Sequence, residues 1–316
     1  MAATENKGAV AVIGNGIIGH AMAEVFAGAG HSVVMIGRSD ASLARAMDNI
    51  EASLREFVAN ELLAAAEVPN TLGRIRVSTD LRDAAGAEFV AEAVTEDMAL
   101  KVEIFGELDR ICPPETILAS SSGHPASELV ERVTHRHRVI AMHFWYPPQL
   151  FPMLEVCPGP ETSRQVLERT CALLRGAGKE PVVMAREVPG FIFNRLQFAV
   201  LREAWSLWAS GAASAEAIDV VMRKGLGRRW GITGPIESAD LGGLDTLWKF
   251  AEALQPHLDA RRDPPEEVGA LVAAGHRGIS SGRGVYDWNK RDGAALLAKR
   301  RAELFRWLKV DRDGAE

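Results

Sequence analysis

Short apolar runs alternate with amphipathic stretches from the N-terminus to about residue 186. Runs rich in Val, Ile, Leu, Met and Ala predict buried strands at 9–14, 31–37, 88–94, 116–121, 138–144 and 181–186. Periodicity and composition predict helices at 17–29, 41–66, 97–110 and 162–177. Near-continuous apolar strands suit a parallel sheet that is covered on both faces, and their alternation with helices predicts a doubly wound α/β domain.

The pattern changes at the segment REVPGF, residues 186–191, beyond which no strand pattern is found. Helices are predicted near 191–210, 214–224, 239–254, 264–274 and 291–309. The chain is therefore expected to have an α/β domain over 1–187 and an all-α domain over 188–316. Six of the seven tryptophans, from Trp205 onward, lie in the helical part, where they form either a homodimer interface or the core of that domain.

Composition excludes several classes of protein. A chain of 316 residues with 47% apolar and 25% charged residues is typical of a globular protein, and its net charge of −6 offers no basic field for nucleic acid. No run approaches the ~18 apolar residues of a membrane span, and MAATENKG does not resemble a secretory leader. Three widely spaced cysteines without a C-x-x-C indicate reduced thiols and no zinc site. We therefore expect a cytoplasmic protein that binds no metal and no membrane.

A glycine-rich turn, GNGIIG, follows the first predicted strand and opens the first helix. Gly14 permits a tight turn, Gly16 lets a pyrophosphate approach the backbone, and Gly19 permits close packing of helix on strand. The amides of the first helical turn, including those of Ile17 and Ile18, face the phosphates from a helix N-terminus. The sequence therefore predicts a Rossmann-type dinucleotide-binding domain.

The end of the second predicted strand bears on the choice of dinucleotide. An acidic residue there commonly accepts hydrogen bonds from the ribose of NAD, but this chain has Gly37, Arg38 and Ser39. A missing carboxylate removes repulsion toward a 2′-phosphate, and Arg38 offers it a planar donor. The segment favours NADP over NAD. The alternative is an Arg38 that faces solvent while Asp40 binds the ribose of NAD.

A candidate acid–base pair lies further along the chain. His143 ends a predicted parallel strand, where open α/β sheets bind ligands, and Pro147 and Pro148 follow it. Twelve residues later, Glu155 lies within the apolar run FPMLEV, where a carboxylate needs a partner. Beside a nicotinamide, a Glu–His pair suggests alcohol oxidation, with the histidine taking up the hydroxyl proton. The alternative is a histidine packed in the core.

Eight motifs in order resemble the 3-hydroxyacyl-CoA dehydrogenase family. They are GNGIIG, AVTEDMALK, ASSSGHP, AMHFWYPP, MLEVCPG, VPGFIFNRL, GPIESADLGGLD and SGRGVYDW, and they cover nearly the whole chain. The segments around 154–205 look especially like the branch of that family that includes lambda-crystallin and carnitine dehydrogenases, whose substrates are not thioesters.

The resemblance implies a set of site residues. His143 and Glu155 match the catalytic pair of the family, and Asn194 matches an asparagine that lines its active site. Ser122 stands where the family has a serine that hydrogen-bonds the substrate oxygen, with Ser121 as the alternative because the alignment needs a gap. Glu96 and Lys101 match family positions that contact the cofactor. The alternative for Lys101 is a lysine on the surface of a helix.

Three departures from the family pattern affect the expected substrate. Tyr146 replaces an asparagine after the catalytic histidine, which predicts a narrower or more aromatic pocket unless the ring turns outward. Gly37 replaces an aspartate. No lysine lies between Lys7 and Lys101, whereas members that use CoA carry lysines there. We therefore expect an NAD(P)-dependent dehydrogenase of a small non-CoA substrate; the alternatives are a short-chain 3-hydroxyacyl-CoA dehydrogenase and a dinucleotide-binding protein without activity.

Overall fold

A computed structural model describes residues 7–314 of the chain. The strands are β1 Lys7–Ile13, β2 His31–Ile36, β3 Ile75–Ser78, β4 Phe89–Glu92, β5 Ile117–Ser120, β6 Val139–His143, β7 Met153–Pro158 and β8 Glu180–Val183. The helices are α1 Ile17–Gly28, α2 Asp40–Ala59, α3 Glu67–Gly73, α4 Met98–Ile111, α5 Arg164–Gly176, α6 Phe193–Ala209, α7 Ala215–Val221, α8 Gly227–Trp230, α9 Pro235–Leu241, α10 Leu244–Leu254, α11 Glu266–Ala273 and α12 Gly293–Asp313.

The eight strands form one sheet in the order β3-β2-β1-β4-β5-β6-β7-β8. All neighbours are parallel except β6 and β7, so the last two strands run against the other six. Strand order reverses between β1 and β4, and open sheets of this kind bind ligands beyond the carboxyl ends of the strands at such a reversal. Apolar clusters cover both faces of the sheet. The predicted fold class, a doubly wound α/β sheet followed by helices, is confirmed.

Three local predictions about the strands and helices were wrong. The run 181–186 was expected to form a buried strand, but β8 ends at Val183 and its Val182 and Val183 are 39% and 45% exposed. As an edge strand it pairs only with β7, and an apolar run does not reveal whether its faces are covered. The sequence also missed the other edge strand, β3, whose four residues include an arginine. The helix predicted over 41–66 ends at Ala59, and a separate helix begins at Glu67.

The chain divides into two compact units. One contains the residues up to Ile192 together with those from Arg300 onward, and the other is Phe193–Lys299. In the second unit, helices α6–α11 contain no fully buried residue, and Trp205, Trp208 and Trp230 are half-buried while Trp248 is exposed. Phe305 and Leu308 of α12 belong to the first unit and are buried there against Phe57 and Leu150.

The part of the chain that the structure describes contains no helix with the length and apolarity needed to span a membrane. Within residues 7–314, no three His, Cys, Asp or Glu side chains come together as metal ligands. Cys112, Cys157 and Cys171 are free thiols and all three are buried. Burial raises the pKa of Cys112 to about 11 and that of Cys157 to about 12, so both remain protonated at neutral pH.

Candidate active site

The glycine-rich turn between β1 and α1 leaves room for a ligand at one position only. A side chain at Gly14, where φ is 99°, would meet the Ala93 carbonyl oxygen at 2.6 Å, and one at Gly19 would meet the Gly14 carbonyl oxygen at 1.9 Å. Nothing lies within 4 Å of the corresponding position at Gly16. Gly16 precedes α1 without a side-chain cap, so the first amides of that helix, including those of Ile17 and Ile18, have no capping acceptor there. This geometry fits a pyrophosphate.

A cleft of about 600 Å³ adjoins this turn. Its lining includes Gly14, Gly16, Ile17, His20, Gly37, Arg38, Ser42, Arg45, Asn49, Thr95 and Leu100. Gly37 lies close to Asn15, since a Cβ atom at that position would come within 2.6 Å of Asn15 Oδ1. Asn15 in turn donates to the Ser42 hydroxyl at 3.0 Å. An aspartate at position 37 would therefore displace Asn15.

Two arginines at the cleft, Arg38 and Arg45, differ from several nearby arginines that are paired with carboxylates. Arg55, Arg76 and Arg82 are ion-paired with Glu51, Asp83 and Asp80. Arg38 and Arg45 line the cleft, are exposed, and have no carboxylate within ion-pair distance among residues 7–314. Their guanidinium groups remain available to an anionic group of a ligand.

His143 and Glu155 face each other across the antiparallel pair β6–β7. The His143 Nδ1 lies 2.9 Å from Glu155 Oε2, and their side chains are 13% and 1% exposed. Trp145 Nε1 lies 3.2 Å from the same Nδ1. The buried carboxylate needs a donor, so we place the imidazole proton on Nδ1, which excludes simultaneous donation from Trp145. This tautomer leaves Nε2 free to exchange a proton with a ligand.

The second oxygen of Glu155 fixes a neighbouring segment. Glu155 Oε1 accepts a hydrogen bond of 2.7 Å from the Ile192 backbone N–H. Immediately before it, Gly190 and Phe191 have φ of 76° and 50°, and the left-handed region is unfavourable for a phenylalanine. The buried Phe191 ring packs edge-on against His143, with 5.9 Å between ring centroids. Glu155 therefore orients the histidine directly and through the ring that packs on it.

Tyr146 lies beside this pair in the chain but differs from it in burial. It is 56% exposed and precedes a cis peptide bond to Pro147. Trp145, by contrast, packs between His143 and Phe151. The assignment of Tyr146 to the substrate pocket remains a prediction.

The serine-rich segment after β5 lies at the same edge of the sheet as His143. Ser120 pairs with Ala141 in the parallel β5–β6 ladder, so Ser122 and His143 are equivalent positions on adjacent strand ends. The Ser122 hydroxyl donates to Glu96 Oε2 at 2.6 Å. The Ser121 hydroxyl is buried and has no partner within residues 7–314. Both serines remain candidates for binding the substrate oxygen, and Ser121 has the unused hydrogen-bonding capacity.

Lys101 belongs to a buried ionic cluster and not to the surface. Its Nζ is fully buried, 2.8 Å from Glu92 Oε1 and 3.8 Å from Glu96 Oε2. Glu92 also accepts 2.6 Å and 2.7 Å hydrogen bonds from the Ser120 hydroxyl and the Val94 N–H. The cluster fixes the loop after β4 that lines the cleft. Direct contact of Lys101 or Glu96 with the cofactor remains a prediction.

Sequence reasoning missed Glu92, Trp145 and His20. Glu92 ends an apolar strand, which is the same signal that identified Glu155. His20 lines the cleft and its Nδ1 lies 2.7 Å from the Gly16 carbonyl oxygen; burial lowers its pKa, so it is neutral at pH 7. No pattern indicated His20 or Trp145. Asn194 lies in the first turn of α6, in the second unit, and its catalytic assignment remains a prediction.

Comparisons with known families match two regions of the chain. Residues 9–188 match the model for the 3-hydroxyacyl-CoA dehydrogenase NAD binding domain. Residues 190–288 match the model for the 3-hydroxyacyl-CoA dehydrogenase C-terminal domain. The glycine-rich turn, His143 and Glu155 all lie within the first region.

Proteins that are similar to this chain along most of its length include two dehydrogenases whose names specify different substrates. The chain is 34% identical to 3-hydroxyadipyl-CoA dehydrogenase of Escherichia coli over 97% of its own length, but it spans only 64% of that protein. It is also 34% identical to the lambda-crystallin homolog of Bos taurus, covering 86% of this chain and 87% of that one. A solved structure of an NAD⁺-dependent dismutase, 5-formyl-3-hydroxy-2-methylpyridine 4-carboxylic acid 5-dehydrogenase, is 30% identical with a TM-score of 0.88 and covers 96% of this chain and 97% of its own.

Proposed function

The chain belongs to the 3-hydroxyacyl-CoA dehydrogenase family of NAD-binding oxidoreductases, and we propose that it interconverts an alcohol and a carbonyl group on a small free acid. The reacting hydroxyl group of this substrate is on a secondary carbon that lies β to a carbonyl group. The observation that carries the proposal is the 2.9 Å contact between His143 Nδ1 and the buried Glu155 carboxylate, at strand ends next to Ser122.

The residues of this chain supply proton transfer and orientation. When bound, the dinucleotide supplies the nicotinamide that accepts or delivers hydride. His143 Nε2 removes the hydroxyl proton during oxidation and returns it during reduction, while Glu155 holds the tautomer and stabilises the imidazolium. Ser122 or Ser121 donates a hydrogen bond to the reacting oxygen. A part for Asn194 in the reaction is proposed from its match to the family motif.

The distribution of cations supports a substrate without CoA. A CoA thioester carries phosphates that would need partners on the segment after β2. That segment has no lysine before Lys101, and Arg55, Arg76 and Arg82 are paired with carboxylates, while its Arg45 lines the cleft beside the glycine-rich turn. The solved relative whose name specifies a pyridine carboxylic acid, which is not a thioester, covers nearly the whole chain.

A substrate comparison tests this proposal. We expect turnover of at least one free 3-hydroxy acid among L-gulonate, carnitine and 3-hydroxybutyrate, measured as absorbance change at the nicotinamide band. Reduction of acetoacetyl-CoA should be at least about 100-fold less efficient in kcat/KM. Efficient acetoacetyl-CoA reduction would establish the alternative, a short-chain 3-hydroxyacyl-CoA dehydrogenase. Cofactor binding without turnover of any compound would support a protein that has lost catalysis.

We also propose that the enzyme accepts NADP, with NAD as the alternative cofactor. Arg38 and Arg45 line the cleft and have no carboxylate partner in the described part of the chain, and Gly37 provides no carboxylate to repel a 2′-phosphate. Arg38→Ala should raise the KM for NADP⁺ about tenfold, because a hydrogen bond to a charged group contributes about 1.5 kcal/mol, and should leave the KM for NAD⁺ unchanged. Arg55→Ala, which removes an arginine bound to Glu51, is the control. An NAD⁺ preference that Arg38→Ala does not alter would contradict the NADP assignment.

A homodimer formed through the helical second domain is proposed from its exposed apolar side chains. Ile236, Leu241, Trp248 and Phe250 are each more than 60% exposed in a single chain. A soluble monomer rarely exposes so many large apolar groups in one region. Sedimentation velocity at micromolar concentration should give a mass of twice 34.2 kDa.

The domain division and the location are also proposals. We propose a dinucleotide-binding domain over 1–187 and a substrate and dimerisation domain over 188–316, in line with the two family models. A cytoplasmic location agrees with three free, buried cysteines. Cell fractionation tests the location.

A further inference from the structure

The loop 144–152 connects His143 at the end of β6 to the strand that carries Glu155. It places Trp145 beside the imidazole, with ring centroids 6.4 Å apart, and Tyr146 next to it in the chain. Loops of this length move unless other contacts hold them. The position of Trp145 relative to His143 therefore depends on what holds this loop.

A buried lysine binds the loop backbone. Lys179 precedes β8, is buried, and its Nζ donates to the carbonyl oxygens of Pro148 at 2.7 Å and Phe151 at 2.9 Å. Between them, Leu150 packs into the apolar cluster with Phe57. Lysine is almost never fully buried without such partners, so both carbonyl contacts are needed to keep it there.

A buried carboxylate binds the loop side chain. Gln149 Nε2 donates to Glu24 Oε2 at 2.8 Å and lies 3.2 Å from the Ser53 hydroxyl. Ser53 in turn donates to Glu24 Oε1 at 2.9 Å. Glu24 lies in α1, the helix whose N-terminus faces the glycine-rich turn, and Ser53 lies in α2. The loop beside the catalytic pair is thus joined to helices α1 and α2 of the dinucleotide-binding domain.

We propose that Glu24 and Gln149 are positioning residues for the reaction, which together with Ser53 and Lys179 form a clamp that holds the loop 144–152 and keeps Trp145 against His143. None of the four has a part in the proton transfer assigned above. The inference rests on the proposed role of His143, and its first test is independent of any substrate.

The clamp responds to protons. Burial raises the pKa of Glu24 to about 7, although hydrogen bonds from Gln149 and Ser53 oppose the shift. Burial likewise lowers the pKa of Lys179 to about 8. A cavity of about 520 Å³ adjoins both groups, so they can exchange protons with solvent. The charged groups around them, from α12, α2 and β8, are Arg301, Asp311, Arg312, Glu56 and Glu180.

The Gln149 amide can accommodate both protonation states of Glu24. With Glu24 ionised, Nε2 donates to it and Oε1 is left buried without a partner within the described chain. With Glu24 protonated, the amide can turn over so that Oε1 accepts the carboxyl proton. A glutamate at position 149 could not adapt in this way. Once it and Glu24 are both ionised, neither carboxylate can donate a hydrogen bond to the other.

Hydrogen exchange of the loop tests the clamp without a substrate. Glu24→Ala and Gln149→Met should each accelerate amide exchange in peptides covering 144–152 at least tenfold at pH 7, with peptides from α5 unchanged. Glu24→Gln, which can still bond Ser53 and Gln149, should retain slow exchange. Glu168→Ala removes an exposed carboxylate in α5 and is the control. Unchanged exchange in both Glu24→Ala and Gln149→Met would overturn the proposal, whatever the enzyme's substrate.

Denaturant unfolding checks the state of Glu24 directly. A carboxyl group whose pKa is raised on folding stabilises the protein fully below its unfolded pKa of about 4.5, and that stabilisation is lost as pH rises through 7. The free energy of unfolding of Glu24→Gln, relative to that of the wild type, should therefore increase as pH rises from 5 to 8. A difference that is constant with pH would contradict the clamp's response to protons.

Steady-state kinetics then separate positioning from general stability, using a substrate that the wild type turns over. Gln149→Met should lower kcat about tenfold and leave the Kd for the cofactor within twofold, at a temperature where melting curves show it folded. Gln149→Glu should lose kcat as pH rises above neutral, because two ionised carboxylates repel each other. Adding Glu24→Gln should restore the wild-type profile. A double variant that keeps the pH-dependent loss, or a Gln149→Met enzyme with wild-type kcat, would overturn the positioning role.

Discussion

His143→Ala should lower kcat by about 10³-fold while leaving the Kd for the cofactor within about threefold of the wild type. General acid–base catalysis by a positioned side chain contributes about 10²- to 10⁴-fold, and His143 is the histidine that a buried carboxylate orients at the strand ends. The cleft around Gly16 does not include His143 in its lining, so cofactor binding should persist. Stopped-flow or steady-state rates and cofactor titration measure the two effects.

Removing the imidazole also removes packing against Phe191 and Trp145, so a second variant is needed. His143→Gln largely fills the space and can donate to Glu155, but it cannot take up a proton at neutral pH. It should be as inactive as His143→Ala and melt close to the wild type. His137→Ala, an exposed histidine near the start of β6, should have normal activity. Wild-type rates in His143→Gln would refute the acid–base assignment.

Glu155→Gln should lower kcat by about 10²-fold without unfolding the protein. The amide oxygen can still accept the Ile192 N–H, but the negative charge that stabilises the imidazolium is gone. In this orientation the amide nitrogen takes the place of Oε2 and donates to His143 Nδ1, which favours the wrong tautomer, with the proton on Nε2. Rates in both reaction directions should fall, because each passes through the same proton transfer.

Two further variants separate charge from structure at this position. Glu155→Ala leaves the buried Ile192 N–H without an acceptor and should reduce the free energy of unfolding by about 1–3 kcal/mol, measured by urea denaturation. Glu155→Asp keeps the charge but is too short to reach both partners, so both activity and the free energy of unfolding should fall. Glu161→Gln, an exposed carboxylate paired with Arg136, is the matched control. An active Glu155→Gln enzyme would show that His143 works without its partner.

Much of the first unit could be predicted from the sequence because its sheet is buried on both faces. Strands β1, β2, β4, β5 and β6 produce apolar runs that stand out from the helices between them. The edge strands β3 and β8 could not be predicted from apolar runs, since an edge strand pairs on one side only and its residues can be polar or exposed. In helices α6–α11, the apolar pattern likewise does not reveal which surface covers the exposed apolar residues.

The residues of the candidate site also differ in whether the sequence alone reveals them. Motifs that are local in sequence, such as GNGIIG, and single residues out of place in an apolar strand, such as Glu155, were visible from the chain. Glu92 had the same signal and was overlooked. Contacts between distant segments were not visible: Ser122 with Glu96, Lys101 with Glu92, and Gln149 with Glu24 all join residues whose separation in the chain carries no pattern.

The sequence by itself therefore determined the fold class, the family and the pairing of a histidine with a glutamate, because strand periodicity, turn glycines and motif order are properties of neighbouring residues. Only the tertiary structure decided that Lys101 is buried in an ionic cluster, that Arg38 and Arg45 at the cleft have no carboxylate partner among residues 7–314, and that Glu24 and Lys179 hold the loop beside His143. Burial and ion pairing depend on which side chains packing brings together, and desolvation then sets whether each group is charged, paired or available to a ligand.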